Sequence, residues 1–144
     1  MDDRDRPRRP HELDTRPDWT AALIQESARH ARYGRPASVL LIELDGGPSG
    51  EGLDGEARGL ADLIRSEARD TDRAVRIGAA SFRMLLPETG SRAARHVVAR
   101  LDRSFHLARA DRPHQAALRI EVAAPARGGS LEDALAEAER RVGR

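Results

Sequence analysis

The sequence predicts an α+β domain: a ferredoxin-like βαββαβ sheet with an additional helix at each end. Three stretches carry that expectation. Val39 to Leu44 is apolar except for Glu43, the pattern of a central strand covered on both faces. From Ala74 to Leu86 two short apolar runs flank Gly78, and Phe82, Met84 and Leu86 alternate with Ser81, Arg83 and Leu85, as in a β-hairpin. Near the C-terminus Leu118, Ile120 and Val122 alternate with Arg119 and Glu121, which predicts a half-buried strand. Segments of helical period separate and flank these strands.

Residues 1–17 contain Pro7, Pro10 and Pro17 and show no apolar periodicity, so a disordered arm is expected, with the domain spanning 18–144. A basic nucleic-acid arm is the alternative, but Asp2, Asp3, Asp5, Glu12 and Asp14 offset its arginines. Asp18 is the expected N-cap of a helix to Tyr33, with Thr20, Leu23, Ile24, Ser27, Ala28 and Ala31 as its inward stripe. Gly34 and Pro36 end it. Gly46–Gly55 holds five Gly and one Pro and reads as a loop. It lacks the lysine of a phosphate cradle. A second helix is expected over Glu56–Arg69, with Ala57, Leu60, Ala61, Ile64 and Ala68 inward. Gly78 sits where a two-residue hairpin loop uses positive φ. A third helix starts at Gly90 or Ser91 and ends near Leu107, with Ala94, Val97, Val98, Leu101 and Phe105 inward. Arg92, His96, Arg100 and Arg103 form a basic ridge on its other side. A turn at Asp111–Pro113 leads to the strand Gln115–Ala123, and Ser130 caps a last helix carrying Leu131, Leu135, Ala138 and Val142.

With 144 residues, the chain suffices for one domain with a real core. A net charge of +1 gives no global field for nucleic acid. All 25 basic residues are Arg, which excludes Schiff-base chemistry and a P-loop lysine. There is no Cys, hence no disulfide, thiolate nucleophile or sulfur metal site. No apolar run approaches the roughly 18–20 residues that span a bilayer, so no membrane partner and a cytoplasmic location are expected. The five His residues stand at no compelling metal spacing.

The stretch Arg69–Thr89 reads R-D-T-D-R-A-V-R-I-G-A-A-S-F-R-M-L-L-P-E-T. Its frame resembles that of GGDEF domains, the diguanylate cyclases that make cyclic di-GMP from two GTP. Those domains show R-x-x-D, a short strand, the pentapeptide Gly-Gly-Asp-Glu-Phe and an apolar run ending L-P-E-T. Ala31–Gly46 likewise resembles the family's helix-to-first-strand segment. The resemblance spans about Asp18 to Val142 and implies a palm-like, nucleotidyl cyclase-like fold, in agreement with the periodicity. The pentapeptide here is Gly78-Ala79-Ala80-Ser81-Phe82, which keeps the frame and lacks both acids.

That resemblance makes Glu43 one magnesium ligand and Ala80 the position of another, where no ligating side chain stands. Ser81 replaces a Glu, and Gly47 and Pro48 stand where the family has Phe and Lys. The chain has no Asn for the guanine contact. The family's basic contacts after the last helix are expected to be missing, unless a shortened helix lets Arg140 and Arg144 imitate them. The expectation is a degenerate GGDEF domain that is not an enzyme, with no catalytic residue, metal or cofactor. One feature of the family remains: Arg69-x-x-Asp72, six residues before Gly78, matches its product-inhibition site. Arg100 falls at the place of a second arginine, and His96 replaces another basic contact. The resemblance thus implies a cyclic di-GMP receptor using Arg69, Asp72 and Arg100. The plainer reading of these residues is a solvated helix end. The alternative function is a nucleotide-independent interaction or dimerisation module, partnered by a regulatory protein or a second copy.

Overall fold

The computed structural model of the protein describes residues 13–47, 50–110 and 116–143. The elements are α1 (Arg16–Tyr33), β1 (Ala37–Asp45), α2 (Glu51–Glu67), β2 (Arg73–Arg76), β3 (Ser81–Pro87), α3 (Ser91–Ala108), β4 (Ala117–Ala123) and α4 (Leu131–Val142). The strands form one antiparallel sheet in the order β2-β3-β1-β4. This is the expected ferredoxin-like arrangement with a helix at either end.

β1 is buried from Ala37 to Leu44 because helices cover both sides of the sheet. Its even-numbered residues Leu40, Ile42 and Leu44 join Phe82, Met84 and Leu86 under α2 and α3, against Leu60, Ile64, Leu101 and Phe105. Its odd-numbered residues Val39 and Leu41 join Val75 and Leu85 under α1 and α4, against Trp19, Leu131 and Ala138. The period of two along β1 therefore feeds two cores at once.

The first helix begins earlier than expected. Thr15, not Asp18, is its N-cap: the Thr15 hydroxyl accepts from the Asp18 N–H at 3.2 Å. Asp18 instead lies in the first turn, where its charge favours the helix dipole. The buried face is also rotated. Trp19 and Ser27 are buried and Leu23 packs beside them, while Thr20, Ala28 and Ala31 are exposed and Ile24 is 63% exposed. Seating the indole of Trp19 removes more apolar surface from water than seating Ile24, and that decides the rotation. The arm expected over 1–17 is corrected for 13–17. Leu13 packs on the core, the Asp14 N–H donates to the Ala74 carbonyl at 2.7 Å, and Arg73 grips the Asp14 carboxylate at 2.8 and 3.1 Å. Residues 1–12 lie outside the described residues.

Two boundaries move for local reasons. α2 starts at Glu51 rather than Glu56. Gly50 turns the chain at φ 62, and Glu51 and Asp54 place acids at the helix start. The hairpin loop has three residues, Gly78 to Ala80, since Arg76 pairs with Phe82 and the Ile77 N–H donates to the Ser81 carbonyl at 2.9 Å. Gly78 does not use positive φ. Arg76 fastens the loop instead, donating to the carbonyls of Gly78 (3.1 Å) and Ala79 (2.7 Å). The helices α3 and α4 bury the stripes expected of them, and Ser130 caps α4 by accepting from the Asp133 N–H at 3.0 Å. The expected turn at 111–113 and the strand start at 115 fall outside the described residues.

Replacing Trp19 by Ala should destabilise the domain by about 3 kcal/mol or more, whereas Ile24→Ala should stay within about 0.5 kcal/mol of wild type. Urea unfolding followed by circular dichroism distinguishes this from the opposite ranking that the sequence stripe implies.

Candidate functional site

Two places gather the candidate residues, one at each end of the β1–β3 pair. At the hairpin end, Glu43 closes β1 opposite Ser81. Its carboxylate is nearly buried and fully engaged. The Ser81 hydroxyl donates to Oε2, and the Arg83 guanidinium donates to Oε1 at 3.0 Å. Arg83 is 6% exposed at its side chain and also holds Glu139 of α4 through two hydrogen bonds of 3.0 and 2.9 Å. Burial works against the charge on Arg83. Its hydrogen bonds to Glu139 and Glu43 more than offset it, so its pKa stands above the ordinary value. Gly78 and Ala79 are exposed, Ala80 packs against the core, and Phe82 is fully buried.

A magnesium site needs several hard oxygen ligands in near-octahedral array. Here Glu43 offers two oxygens already taken by Arg83 and Ser81, and Ala80 offers no side-chain oxygen. Among the described residues no group of three or more His, Asp or Glu is arranged to hold a metal. These donors do not fit the ion, and Arg83 supplies the positive charge beside Glu43.

At the other end, Arg69 follows α2 and Asp72 precedes β2. They are brought together as expected: the Asp72 carboxylate accepts from the Arg69 backbone N–H at 2.9 Å and from its Nη2 at 3.0 Å. The plainer reading, a solvated helix end, fits only Arg69. The Asp72 side chain is 3% exposed against 53% for Arg69. The cause is the β3–α3 junction, which closes over the pair. Arg69 Nη2 also reaches the Thr89 hydroxyl at 2.7 Å and the Pro87 carbonyl at 3.1 Å. Asp72 therefore fixes the guanidinium rather than reaching outward.

In front of Arg69 lies a pocket of about 230 Å³ lined by Arg69, Glu88, Thr89, Ala93, His96, Val97 and Arg100. His96 and Arg100 project from the exposed ridge of α3, and Arg100 donates to Glu67 at 3.2 Å. Sequence reasoning missed Glu88 on this wall. It sits at φ 58, a conformation L side chains rarely adopt, and its carboxylate bridges Arg35 and Arg29. Hydrogen bonding to Arg35 first, and to Arg29 after the opposing effect of desolvation, holds its carboxyl below the usual range. A larger cavity of about 610 Å³ lies between the end of α1 and the starts of α3 and α4. Small residues and backbone line most of it, and no sequence candidate falls there.

Solved structures share this fold. The active GGEEF domain of a diguanylate cyclase from Vibrio cholerae gives a TM-score of 0.75 at 21% identity, covering 90% of this chain and 88% of that one. The GGDEF domain of DgcB from Caulobacter crescentus, in complex with cyclic di-GMP, gives 0.65 at 14% identity over 96% and 95%. The diguanylate cyclase SiaD from Pseudomonas aeruginosa, in complex with its activator SiaC, gives 0.62 at 20% identity over 93% and 58%. No family model matches the sequence. No curated protein matches it either. The architecture is that of GGDEF domains.

These neighbours correct the expectation that the chain is not an enzyme. That expectation rested on residue identities: the pentapeptide without its acids, the absence of Asn, and the basic contacts expected to be missing after the last helix. The active GGEEF domain carries this fold across nine-tenths of the chain, and the expectation does not stand. Among the described residues no helix is long and apolar enough to cross a membrane.

Two outcomes test the site geometry. Arg83→Met leaves Glu43 without its cation and should cost about 3 kcal/mol in urea unfolding. Glu88→Gln should flatten the acid limb of the stability profile. A carboxyl held below its unfolded pKa stabilises at neutral pH, and that contribution disappears as pH falls through the folded value. Wild type should thus lose more stability than Glu88→Gln between neutral pH and about pH 3.

Proposed function

We propose that this chain is a cytoplasmic signalling domain that binds cyclic di-GMP at the Arg69 pocket. Arg69 and Arg100 are the phosphate contacts, and Asp72 is the positioning residue that aims Arg69. One observation carries the reading: a half-exposed guanidinium, locked from behind by a buried carboxylate, faces a second arginine and a histidine across one small pocket. Guanidinium forks suit phosphate oxygens and guanine edges, and a pre-fixed fork loses less freedom on binding. The pocket is smaller than the roughly 300–1,000 Å³ of typical ligand sites. A dinucleotide would therefore enter with one phosphate and spread over the mouth, where a second copy could share it. A GGDEF domain of the same fold is in complex with this nucleotide.

The second reading is a nucleotide-independent interaction or dimerisation module. Ile24, Tyr33 and Leu107 favour it, since all three are large, apolar or aromatic, and exposed. A neighbour of this fold is in complex with an activator protein.

Calorimetric titration with cyclic di-GMP separates the two. Wild type should bind at low salt and weaken as salt rises. Arg100→Ala and Arg69→Ala should each weaken binding by about tenfold or more, since a charge-assisted hydrogen bond contributes about 1.5–3 kcal/mol. His96→Ala should cost less, because an imidazole lacks the forked donor set that a guanidinium offers a phosphate. Arg100→Ala keeps the buried Asp72 pairing and so controls for folding. A wild type silent at high-micromolar ligand in low salt leaves the interaction reading.

A further inference from the structure

β4 is the last strand of the sheet, and among the described residues nothing pairs with its outer edge. The opposite edge differs: the segment at Asp14 lies along β2 and bridges to Val75. The free groups on β4 follow from the ladder. Leu44 donates its N–H to the Ala80 carbonyl on the β3 side. Even-numbered residues of β1 therefore turn their backbone groups toward β3, and odd-numbered ones toward β4. The hydrogen-bonded pairs between β1 and β4 are then Val39–Ala123, Leu41–Glu121, Glu43–Arg119 and Asp45–Ala117. Leu118, Ile120 and Val122 are left with N–H and C=O groups aimed away from the sheet. Their side chains are only half-buried, whereas Leu40 and Ile42 beside them on β1 are fully buried.

The strand reads Ala-Leu-Arg-Ile-Glu-Val-Ala from 117 to 123. Turned end for end it keeps its chemistry: Ala meets Ala, Leu meets Val, Arg meets Glu, and Ile120 is the centre. Edge strands commonly deter pairing with proline, bulges or repelling charge. β4 contains no proline, and its charges repel only in the parallel arrangement, where Arg119 would face Arg119 and Glu121 face Glu121.

We propose that β4 is a homodimerisation edge: two copies pair their β4 strands antiparallel about a two-fold axis at Ile120, joining two four-stranded sheets into one. Leu118 exchanges backbone hydrogen bonds with the partner's Val122, and Ile120 with the partner's Ile120. Arg119 and the partner's Glu121 then form a non-hydrogen-bonded pair, the position where cross-strand side chains approach most closely. Both charged groups are partly exposed there. Arg119 is 41% exposed, lies 3.5 Å from Asp45, donates to the Val142 carbonyl, and has a buried Nε with no acceptor. Glu121 is 33% exposed and is met by Arg141 at 3.2 Å. The interface is isologous, so each favourable pair occurs twice. Backbone bonds supply affinity, and the alternating side chains fix the register.

Sedimentation velocity of the full chain in nucleotide-free buffer, from low to several hundred micromolar, tests this without bridging at the Arg69 pocket. Wild type should dimerise with rising concentration. Arg119→Glu and Glu121→Arg each place like charges in both symmetric pairs and should weaken the dimer by about tenfold or more. An equimolar mixture of the two variants restores opposite charges in every cross-pair and should regain association as a heterodimer. Ile120→Pro removes an outward N–H that β1 does not use and should abolish dimerisation while circular dichroism stays native. A monomeric wild type at the highest concentration overturns the proposal. A dimer that neither charge variant weakens also overturns it, as does failure of the mixture to recover.

Discussion

A charge placed inside a sheet covered on both faces must bring its own counter-charge, and Glu43 is that charge here. The strand carrying it is buried for eight consecutive residues. Arg83 meets it from the neighbouring strand and reaches on to Glu139 of α4. One guanidinium thereby ties β1, β3 and α4 together at the hairpin end. A buried ion pair of this kind adds little stability over a well-packed apolar substitute, but losing one member is costly. Its effect is on arrangement. It sets which residues of β3 face α4, orients the hairpin, and decides that the oxygens of Glu43 are spent within the protein.

The opposite end of the same strand pair is organised by a different kind of contact. Thr89 is buried, accepts from Arg69, donates to the Pro87 carbonyl, and offers its own carbonyl to the Ser38 hydroxyl at 2.8 Å. Next to it Glu88 adopts a left-handed backbone and spreads its carboxylate across Arg29 and Arg35. The β3–α3 junction thus touches α1, the end of α2 and the start of β1 within a few residues. The pocket before Arg69 is built on a crossing point rather than on a free loop, and this fixes its cation.

The sheet was legible because a period of two cannot be satisfied by a helix. The apolar run at Val39–Leu44 announced a strand with two covered faces, and the order of elements followed. The rotation of α1 was not legible. Its sequence offers two apolar stripes, one through Trp19 and Leu23 and one through Ile24, Ala28 and Ala31, and only the shape of the opposing core chooses. The early start of α2 was hidden by glycines that usually mark a loop, although Gly50 needs only to turn the chain once. At the sites, Arg69 and Asp72 were singled out together by the resemblance of R-x-x-D to a family motif. The clamp of Arg83 on Glu139 joins residues 56 apart in sequence. Its one local signal was an arginine at an inward position of a strand covered on both faces. The expectation about catalysis read side-chain identities at the hairpin and after the last helix, and the absence of Asn, whereas the likeness to an active cyclase domain lies in the backbone.

Trp19 is the only tryptophan in the chain, and it is 7% exposed in the core between the sheet and the α1 and α4 layer. The α2 and α3 layer on the other side of the sheet contains none. Intrinsic tryptophan emission is therefore a one-sided optical reporter, recording the docking of α1 and leaving the opposite core dark. Far-ultraviolet ellipticity averages over both layers. If the emission and ellipticity transitions coincide on unfolding, the two cores melt as one cooperative unit, and if emission shifts first, α1 has left a sheet that is still intact.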